Sequence, residues 1–382
     1  MIPRFAAIEP EAHVECGSPG EIAEALAYAQ RSGLPVAVRS GGHDFAGRSA
    51  TEGVVIDVSP LRGISHSDGV AIVGAGTRLG ELYDALDPYT IPAGCGPTVG
   101  IAGLALGGGL GILGRAHGLT CDALLGAQVV LADGSVVECD DTREPELFWA
   151  LRGAGAGSLG VVTRLRFRTM LAPEVSAFEL HRPHAEAADL IEQWQAWAPD
   201  APGGAAVSLI VDDAGVHVLG TTTEDVDLPW PAELSRGPFR DTKRLLAERG
   251  GPEADTWSRS EYFARSLPRD AIEALVELRE GELDFTPWGG AYTRVAKDAT
   301  AFFHRDARFL LKQTADAPGG WLDRSWELVH PFGTGGVYPN FPDPVLADPD
   351  GAYFGANRDR VAAARAAYDP EGVFQPLPYG ST

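Results

Sequence analysis

One short stretch combines glycine, charge and a single imidazole in a pattern that could do chemistry. In VRSGGHDFAGRS, residues 38–49, His43 directly follows Gly41 and Gly42. Two glycines permit a sharp backbone reversal, and the turn follows the apolar segment LPVAVRS, so the imidazole is expected at a strand end, where sites often collect. A lone histidine in a turn is more often structural. From these residues alone, a polar turn and a ligand-holding side chain both stay open.

Two other stretches place glycines among apolar residues. The first, CGPTVGIAGLALGGGLG, covers residues 95–111, and the second, RGAGAGSLGVVT, covers residues 152–163. Such stretches expose backbone N–H groups and remove side chains, so a planar or phosphorylated ligand can approach. A flexible linker would be richer in serine and charge. The pair predicts two walls of one cofactor site, while two tight turns remain the alternative.

A third glycine pattern resembles a dinucleotide fingerprint but has the wrong spacing. In VAIVGAGTRLGELYDAL, the residues Gly74, Gly76 and Gly80 give GxGxxxG. The NAD-binding turn requires GxGxxG and an acidic residue about 20 positions further on, which is missing here. We therefore interpret this stretch as a tight connection between a strand and a helix.

Composition excludes several classes of partner. The net charge of −22 argues against binding of nucleic acid or of an anionic membrane surface. An anionic cofactor is still possible, because backbone amides can hold it. No apolar run of about 18 residues predicts a membrane span, and MIPRFAAIEPEAHVE does not read as a secretory signal. The four cysteines form no CxxC pair, so we expect a reduced, cytoplasmic setting and no metal site.

The elements that must position these residues predict an α+β fold of two domains. Residues 1–172 read as a β-α-β unit, further strands, the glycine stretches and a hairpin turning at Asp133-Gly134. Residues 173–336 mix alternating strands with amphipathic helices, which predicts a central domain with an antiparallel sheet flanked by helices. Residues 337–382 form a C-terminal segment whose helix is stopped by Asp369-Pro370.

Six stretches in order resemble one known family. They are GLPVAVRSGGHDFAG, VVIDVSPL, PTVGIAGLALGGGLGILGRAHGLTCD, ELFWALRGAGAGSLGVVT, TAFFHRD and YFGANRDR…YDPEGVF. Together they resemble the berberine-bridge-enzyme-like FAD-linked oxidases of the vanillyl-alcohol-oxidase type, nearly end to end. The resemblance implies that residues 1–172 and the C-terminal helix form a two-part FAD-binding domain, and that residues 173–336 bind substrate.

The resemblance also implies how FAD is held. The histidine of the family's R-x-G-G-H turn bonds covalently to the 8α-methyl carbon of FAD, and His43 occupies that position. Asn357 matches a C-terminal residue near the flavin, and Tyr353 matches an aromatic position near the isoalloxazine ring. The other residues implied to bind FAD are Arg39, Ser40, Gly41, Gly42, Asp44, Pro97, Thr98, Val99, Gly100, Gly103, Leu104, Gly107, Gly108, Gly109, Gly111, Gly118, Leu119, Gly155, Gly160 and Val162.

A second covalent link, from a cysteine to the flavin C6, occurs in some family members. Gly96 stands at that cysteine's position here, and Cys95 lies one residue earlier. In an extended segment, a shift of one residue turns a side chain to the opposite face. We therefore expect a single link through His43. Cys95 would reach the flavin only if the loop bulges.

The implied function is that of an oxidase, which takes a hydride from an alcohol (a sugar or natural-product hydroxyl) to covalently bound FAD and then passes the electrons to dioxygen, with release of hydrogen peroxide. The base could be a tyrosine whose pKa a nearby positive charge lowers from about 10. Tyr353 is the first candidate and Tyr338 the second, with Tyr292 and His304 weaker. A dehydrogenase, an amine-oxidising member of the family and a non-catalytic flavin-binding protein remain alternatives. Phe303 stands where the family often has proline. The substrate and the oligomeric state stay open.

Overall fold

The first part of the chain begins with a β-α-β unit whose boundaries follow from capping. The computed structural model describes residues 2–249 and 255–374. The Ser18 hydroxyl accepts a hydrogen bond from Glu21 N at 3.3 Å, and Gly33 closes the helix in the left-handed region at φ 63°. A parallel three-stranded sheet in the order β1-β3-β2 results. The elements are α1 (Pro3–Ala6), β1 (Ala12–Glu15), α2 (Pro19–Ser32), β2 (Val36–Arg39) and β3 (Val54–Asp57).

A second, antiparallel sheet of five strands completes this part, in the order β4-β5-β9-β7-β8. Asp133 and Gly134 form the predicted turn between β7 and β8, with Gly134 at φ 80°. The strands are β4 (Ile64–Ser67), β5 (Val70–Gly74), β6 (Tyr89–Thr90), β7 (Leu124–Val130), β8 (Val136–Cys139), β9 (Val161–Arg168) and β10 (Met170–Leu171), with β6 and β10 pairing separately. The helices are α3 (Leu79–Leu86), α4 (Ile101–Leu106), α5 (Gly114–His117) and α6 (Pro145–Ala154).

The central region is a seven-stranded antiparallel sheet in the order β14-β11-β13-β12-β16-β17-β15. Alternate residues such as Leu209 and Phe285 are buried against helices α7, α9 and α10, as the predicted alternation requires. The elements are β11 (Glu174–Arg182), α7 (Ala187–Trp197), β12 (Ala205–Asp212), β13 (Gly215–Thr222), β14 (Ser235–Pro238), α8 (Phe239–Arg249), β15 (Trp257–Phe263), α9 (Arg269–Glu277), β16 (Glu282–Pro287), β17 (Phe309–Ala315) and α10 (Trp321–Val329).

The C-terminal segment returns to the core of the first part. It contains α11 (Pro349–Phe354) and α12 (Arg358–Tyr368), and residues 375–382 lie outside the described residues. Phe354, Val361 and Phe374 are buried in the same hydrophobic core as Ile22 of α2. The predicted α+β fold with a central antiparallel sheet is therefore confirmed. Within the described residues, no helix is both long and apolar enough to cross a membrane.

A buried ion pair joins the first part to the loop before β17. Both terminal nitrogens of Arg305 donate to the Asp122 carboxylate at 2.8 Å, and Arg305 also donates to Thr300 Oγ1 at 2.9 Å. The side chains of Arg305 and Asp122 are only 2% and 9% exposed. Such a pair is fixed in place because neither charge can return to water on its own.

We predict that Arg305→Ala lowers the free energy of unfolding by about 3–5 kcal/mol, because it leaves the Asp122 carboxylate buried without its partner. The matched control is Arg244→Ala, which removes an exposed pair with Asp84 that also joins the two parts. Water screens that pair, so its loss should change stability little. Urea unfolding followed by circular dichroism measures both, and equal losses in the two variants would contradict the prediction.

Candidate functional site

A cavity with a volume of about 400 Å³ lies where several of the predicted site segments meet. Four separate segments form most of its walls: residues 38–49 from the end of β2 onward, residues 94–110 around α4, residues 156–162 at the start of β9, and residues 338–341 of the C-terminal segment. Val58 and Leu79 add to the lining. The two glycine stretches and the histidine turn therefore meet at one place, although up to 120 residues separate them in the sequence.

Among the residues proposed from the sequence, the structure divides those that line the cavity from those that do not. The lining includes Ser40, Gly41, Gly42, His43, Asp44, Cys95, Val99, Gly100, Gly103, Leu104, Gly160, Val162 and Tyr338. Not among the lining residues are Arg39, Pro97, Thr98, Gly107, Gly108, Gly109, Gly111, Gly118, Leu119, Gly155, Tyr353 and Asn357.

The turn that carries His43 is held by its own side chains. Gly42 reverses the chain at φ 73°. Asp44 Oδ1 then accepts hydrogen bonds from the backbone N of Ala46 at 3.0 Å and of Arg48 at 2.9 Å. Its other oxygen accepts from Arg48 Nε at 2.7 Å. Because the carboxylate closes the turn from within, the position of His43 on the cavity wall is well defined.

Arg48 connects the histidine turn to the C-terminal segment of the chain. Its terminal nitrogen donates to the Pro339 carbonyl oxygen at 3.0 Å. Pro339 directly follows Tyr338, so one arginine ties the histidine turn to the segment that carries the candidate base. The side chains of Asp44 and Arg48 are each only 17% exposed. The charge-assisted hydrogen bond between Arg48 and Asp44 is thus shielded from water, which makes it stronger than the same bond on the surface.

Gly41 and Gly100 are required because two backbone segments cross without space for a side chain. A Cβ on Gly41 would clash with Gly100 N, and one on Gly100 would lie 2.5 Å from Gly41 N. Gly100 has an ordinary φ of −74°, so conformational freedom does not explain it. The crossing brings the histidine turn directly against the first glycine stretch, as a shared wall requires.

The later glycines of that stretch do not line the cavity but allow close packing of the residues next to it. A Cβ on Gly107 would meet Asn340 Oδ1, one on Gly109 would lie 2.5 Å from Thr120 Cβ, and one on Gly111 would meet the Ala93 carbonyl. They let α4 approach its neighbours closely, and the cavity is lined instead by Gly100 and Gly103.

The second glycine stretch contributes through its later residues. Ala156, Gly157, Gly160 and Val162 line the cavity. Gly155 instead faces Leu151, where a Cβ would lie 2.8 Å from the Leu151 Cα. Nothing lies within 4 Å of a Cβ placed on Gly157, and the same is true of Gly103 in the α4 segment of the wall. These two glycines leave open space along the cavity, which suits a flat ring system.

Tyr338 is the candidate base that the structure brings to the cavity. Its hydroxyl accepts hydrogen bonds from Gly109 N at 3.0 Å and from Asn340 Nδ2 at 3.1 Å. Burial raises the pKa of Tyr338 above its ordinary value, and the hydrogen bonds from Asn340 and Gly109 oppose that rise. Two donors aimed at one phenol oxygen stabilise the phenolate, but burial is the larger effect, so the pKa of Tyr338 is raised. The expectation that a nearby positive charge lowers the pKa of the base is therefore wrong for Tyr338, where the groups that lower it are these two hydrogen-bond donors.

The other candidates for the base lie away from this wall. Tyr353 lines a smaller adjoining cavity of about 40 Å³, and its hydroxyl accepts from Asp343 N at 2.9 Å. His304 is buried, and burial lowers its pKa to about 4. Tyr292 donates to the Gly111 carbonyl, and burial raises its pKa. The geometry thus favours Tyr338 over Tyr353, the reverse of the order given by the sequence.

Asn357 and Cys95 also differ from the simple expectation. Asn357 Nδ2 donates to the carbonyls of Lys297 at 2.7 Å and Thr300 at 3.1 Å, so it fixes a loop. Cys95 lies on the cavity wall, although alternation along an extended segment would turn it away. The alternation does not apply because residues 91–98 form no strand, and Val99 N donates to the Gly96 carbonyl in a turn.

Lys243 of α8 forms hydrogen bonds to the segment of the cavity wall that carries Cys95. Its ammonium donates to the carbonyls of Ala93 at 2.6 Å and Gly94 at 2.9 Å, and to Cys95 Sγ at 3.5 Å. Only 3% of Lys243 is exposed, and burial lowers its pKa. A helix of the central region therefore supports the segment that faces the cavity.

Comparisons with known proteins agree with this arrangement. Residues 10–140 match the family described as FAD binding domain, and residues 337–376 match Berberine and berberine like. The FAD-linked oxidoreductase YgaK of Bacillus subtilis (strain 168) is 30% identical over 96% of this chain and 90% of its own length. Chitooligosaccharide oxidase of Gibberella zeae is 28% identical over 96% and 86%.

The chain belongs to the berberine bridge enzyme-like FAD-linked oxidoreductases. The solved structure of BBE-like 1 from Physcomitrella patens covers 100% of this chain and 95% of its own, with a TM-score of 0.90 and 25% identity. The predicted family and cofactor class are thereby confirmed. The cavity of this berberine bridge enzyme-like protein fits FAD, since its walls leave open space at Gly103 and Gly157 and are otherwise largely apolar.

Several cavity residues were missing from the set derived from the sequence, among them Phe45, Arg48, Asn340 and Phe341. Two of them had a readable signal. Arg48 stands four residues after Asp44, a spacing at which opposite charges can pair across a turn, and Asn340 shares the stretch GGVYPNF with Tyr338. Phe45 and Phe341 approach each other only through the fold, with ring centroids 6.0 Å apart.

We predict that Gly41→Ala destabilises the protein by about 1–3 kcal/mol, the usual cost of overpacking, because the new Cβ must displace the Gly100 backbone. Gly63→Ala is the control, since nothing lies within 4 Å of a Cβ there and the residue is outside the cavity. Urea unfolding compares the two variants. Equal stability of Gly41→Ala and the unchanged protein would show that the two segments do not cross as closely as described.

Proposed function

We propose that this protein is an oxidase that takes a hydride from the carbinol carbon of a small-molecule alcohol, using FAD attached through His43. The overall reaction converts a secondary alcohol or hemiacetal and dioxygen into the carbonyl compound and hydrogen peroxide. The observation that supports it is the presence of His43 and Tyr338 on one glycine-walled cavity. FAD supplies the hydride-accepting ring when bound.

His43 would attach the cofactor and fix its position. A ring nitrogen of His43 would replace one hydrogen of the 8α-methyl carbon, a two-electron oxidation for which dioxygen would be the acceptor. The turn that Asp44 closes and Arg48 ties to Pro339 limits where the imidazole can point. A flavin attached to a fixed imidazole would stay in one position, so the entropy of ordering it would not have to be lost again each time a substrate binds.

Tyr338 would take the hydroxyl proton of the substrate. Asn340 and Gly109 donate to its oxygen, so two existing hydrogen bonds stabilise the phenolate that must be present before Tyr338 accepts the proton. Burial of the ring excludes water from the proton acceptor. A base of this kind contributes typically 10²–10⁴-fold to the rate.

The substrate class is proposed as a sugar or natural-product alcohol. The relative from Gibberella zeae is named a chitooligosaccharide oxidase. The rings of Phe45 and Phe341 at the cavity offer the apolar faces that a sugar ring or a polycyclic compound can contact. A panel of sugars, alkaloids and phenolic alcohols, followed by hydrogen peroxide release, tests this proposal. Turnover with an artificial electron acceptor but not with dioxygen would instead indicate a dehydrogenase.

We predict that His43→Ala loses covalently bound flavin. Purified protein is precipitated with acid, and the yellow colour of pellet and supernatant is compared by absorbance at the flavin bands. The unchanged protein should keep its colour in the pellet, whereas His43→Ala should release it. Cys95→Ala is the matched control on the same wall and should retain the colour. Retention of colour by His43→Ala and its loss in Cys95→Ala would assign the link to Cys95 instead.

We predict that Tyr338→Phe lowers kcat by about 10²–10⁴-fold with little loss of bound flavin, because only the proton acceptor is removed. Tyr353→Phe is the control and should keep most of the turnover, since its hydroxyl contacts Asp343. Stopped-flow reduction of the flavin by substrate measures both. A large loss in Tyr353→Phe with normal turnover in Tyr338→Phe would exchange the two roles.

The pH profile gives an independent test of the same base. Burial raises the pKa of Tyr338 and the donor Asn340 lowers it. The base must be deprotonated to act, so activity should rise with pH through the pKa that governs it. Asn340→Ala removes one donor to the phenolate, and its rising limb should therefore lie at higher pH than that of the unchanged protein. A shift to lower pH would contradict the role of Tyr338.

A further inference from the structure

Three side chains that commonly bind metals lie together on the central sheet, away from the cavity. They are Glu179 and His181 of β11 and His217 of β13, and their ligand atoms all lie within 4.8 Å of one another. We propose that these residues bind one divalent transition-metal ion of the zinc type. Because the proposal depends on neither FAD nor the alcohol substrate, it stands apart from the proposed function.

The register of the sheet explains why the three side chains meet. His181 and His217 are directly paired across the antiparallel strands β11 and β13, and Glu179 precedes His181 by two residues, so all three share one face. The neighbouring residues Phe178 and Leu180, one position before each of the two β11 ligands, point the other way into the helix-covered core. Strand pairing therefore fixes the ligands without any loop.

The side-chain geometry is close to what a metal requires. Nε2 of His181 lies 3.0 Å from Glu179 Oε1. The two imidazole rings are nearly perpendicular, at 87°, with centroids 4.6 Å apart. Zinc bonds of about 2.0–2.2 Å in a tetrahedron separate ligand atoms by roughly 3.4 Å. The three ligand atoms lie within 4.8 Å of one another, so metal binding would require side-chain rotations that close the remaining distance.

Asp212 adds a second carboxylate at this place. Its Oδ1 lies 3.2 Å from His217 Nε2 and accepts hydrogen bonds from Ala214 N at 2.8 Å and Gly215 N at 3.2 Å. The turn between β12 and β13 thus holds the carboxylate beside the imidazole. A carboxylate that contacts a ligating histidine orients its ring and raises its basicity, as in many zinc proteins.

The ligand set indicates the class of metal. Two imidazoles and one carboxylate suit zinc, copper or nickel, whereas calcium and magnesium prefer oxygen ligands alone. The site is reachable from solvent, since the side chains of His181, His217 and Glu179 are 60%, 21% and 25% exposed. A metal bound there would leave a position for water and would join β11 to β13. The net charge of −22 favours a cation.

The experiment is a titration of the flavin-loaded chain, prepared without an added histidine tag and freed of metal with EDTA. Zn²⁺ is added in a calorimeter, and the thermal midpoint is measured with and without it. We expect one Zn²⁺ per chain and a raised midpoint. His181→Ala and His217→Ala should each weaken binding by at least about tenfold. His181 is largely exposed, so its replacement should not disturb folding.

His13→Ala is the matched control. His13 lies 3.0 Å from Asp57 and is 41% exposed, so it forms the same kind of histidine–carboxylate pair without a second imidazole. This variant should bind Zn²⁺ as the unchanged protein does. No saturable binding in the unchanged protein, or equal affinity in His217→Ala and His13→Ala, would overturn the proposal.

Discussion

The close crossing of two backbone segments at Gly41 and Gly100 is the constraint on which the cavity depends. Neither residue can carry a Cβ, because the backbone nitrogen of the other would lie within 2.5 Å of it. Hydrogen bonds hold both segments at this distance: the Ser40 hydroxyl donates to the Ala75 carbonyl at 2.7 Å, and Ile101 N donates to the Thr77 carbonyl at 2.9 Å. With the crossing in place, the turn at His43 and helix α4 form one continuous wall.

The C-terminal segment completes the cavity through contacts that span most of the chain. Arg48 binds the Pro339 carbonyl, the Tyr338 hydroxyl accepts from Gly109 N, and Asn340 Nδ2 donates to the Leu104 carbonyl at 2.9 Å. All three connect consecutive residues of that segment to the histidine turn or to the α4 region. The same hydrogen bonds therefore position the candidate base and hold the C-terminal segment against the cavity wall. Removing one of them is expected to affect both the stability of the fold and the position of Tyr338.

Local signals in the sequence predicted local structure well, while side-chain placement at the cavity depended on the tertiary fold. Ser18 and Gly33 bound α2 as capping requires, and Asp133-Gly134 forms its hairpin. Glycine alone did not distinguish a ligand-facing position from a packed one: Gly103 borders open space, whereas Gly107 packs against Asn340, 233 residues away. The sequence likewise ranked Tyr353 above Tyr338, because only tertiary contacts show that Tyr338 is the one on the cavity wall.

Lys243 shows how the central region influences the cofactor side of the cavity. A buried ammonium is costly unless acceptors surround it, and its three acceptors all belong to residues 93–95. Burial lowers the pKa of Lys243, so those acceptors must also keep the proton in place. The positions of α8 and of the wall at Cys95 are therefore linked. Because α8 packs against β11 and β14 of the central sheet, a change in the sheet that displaces α8 would be transmitted directly to the wall that faces the flavin site.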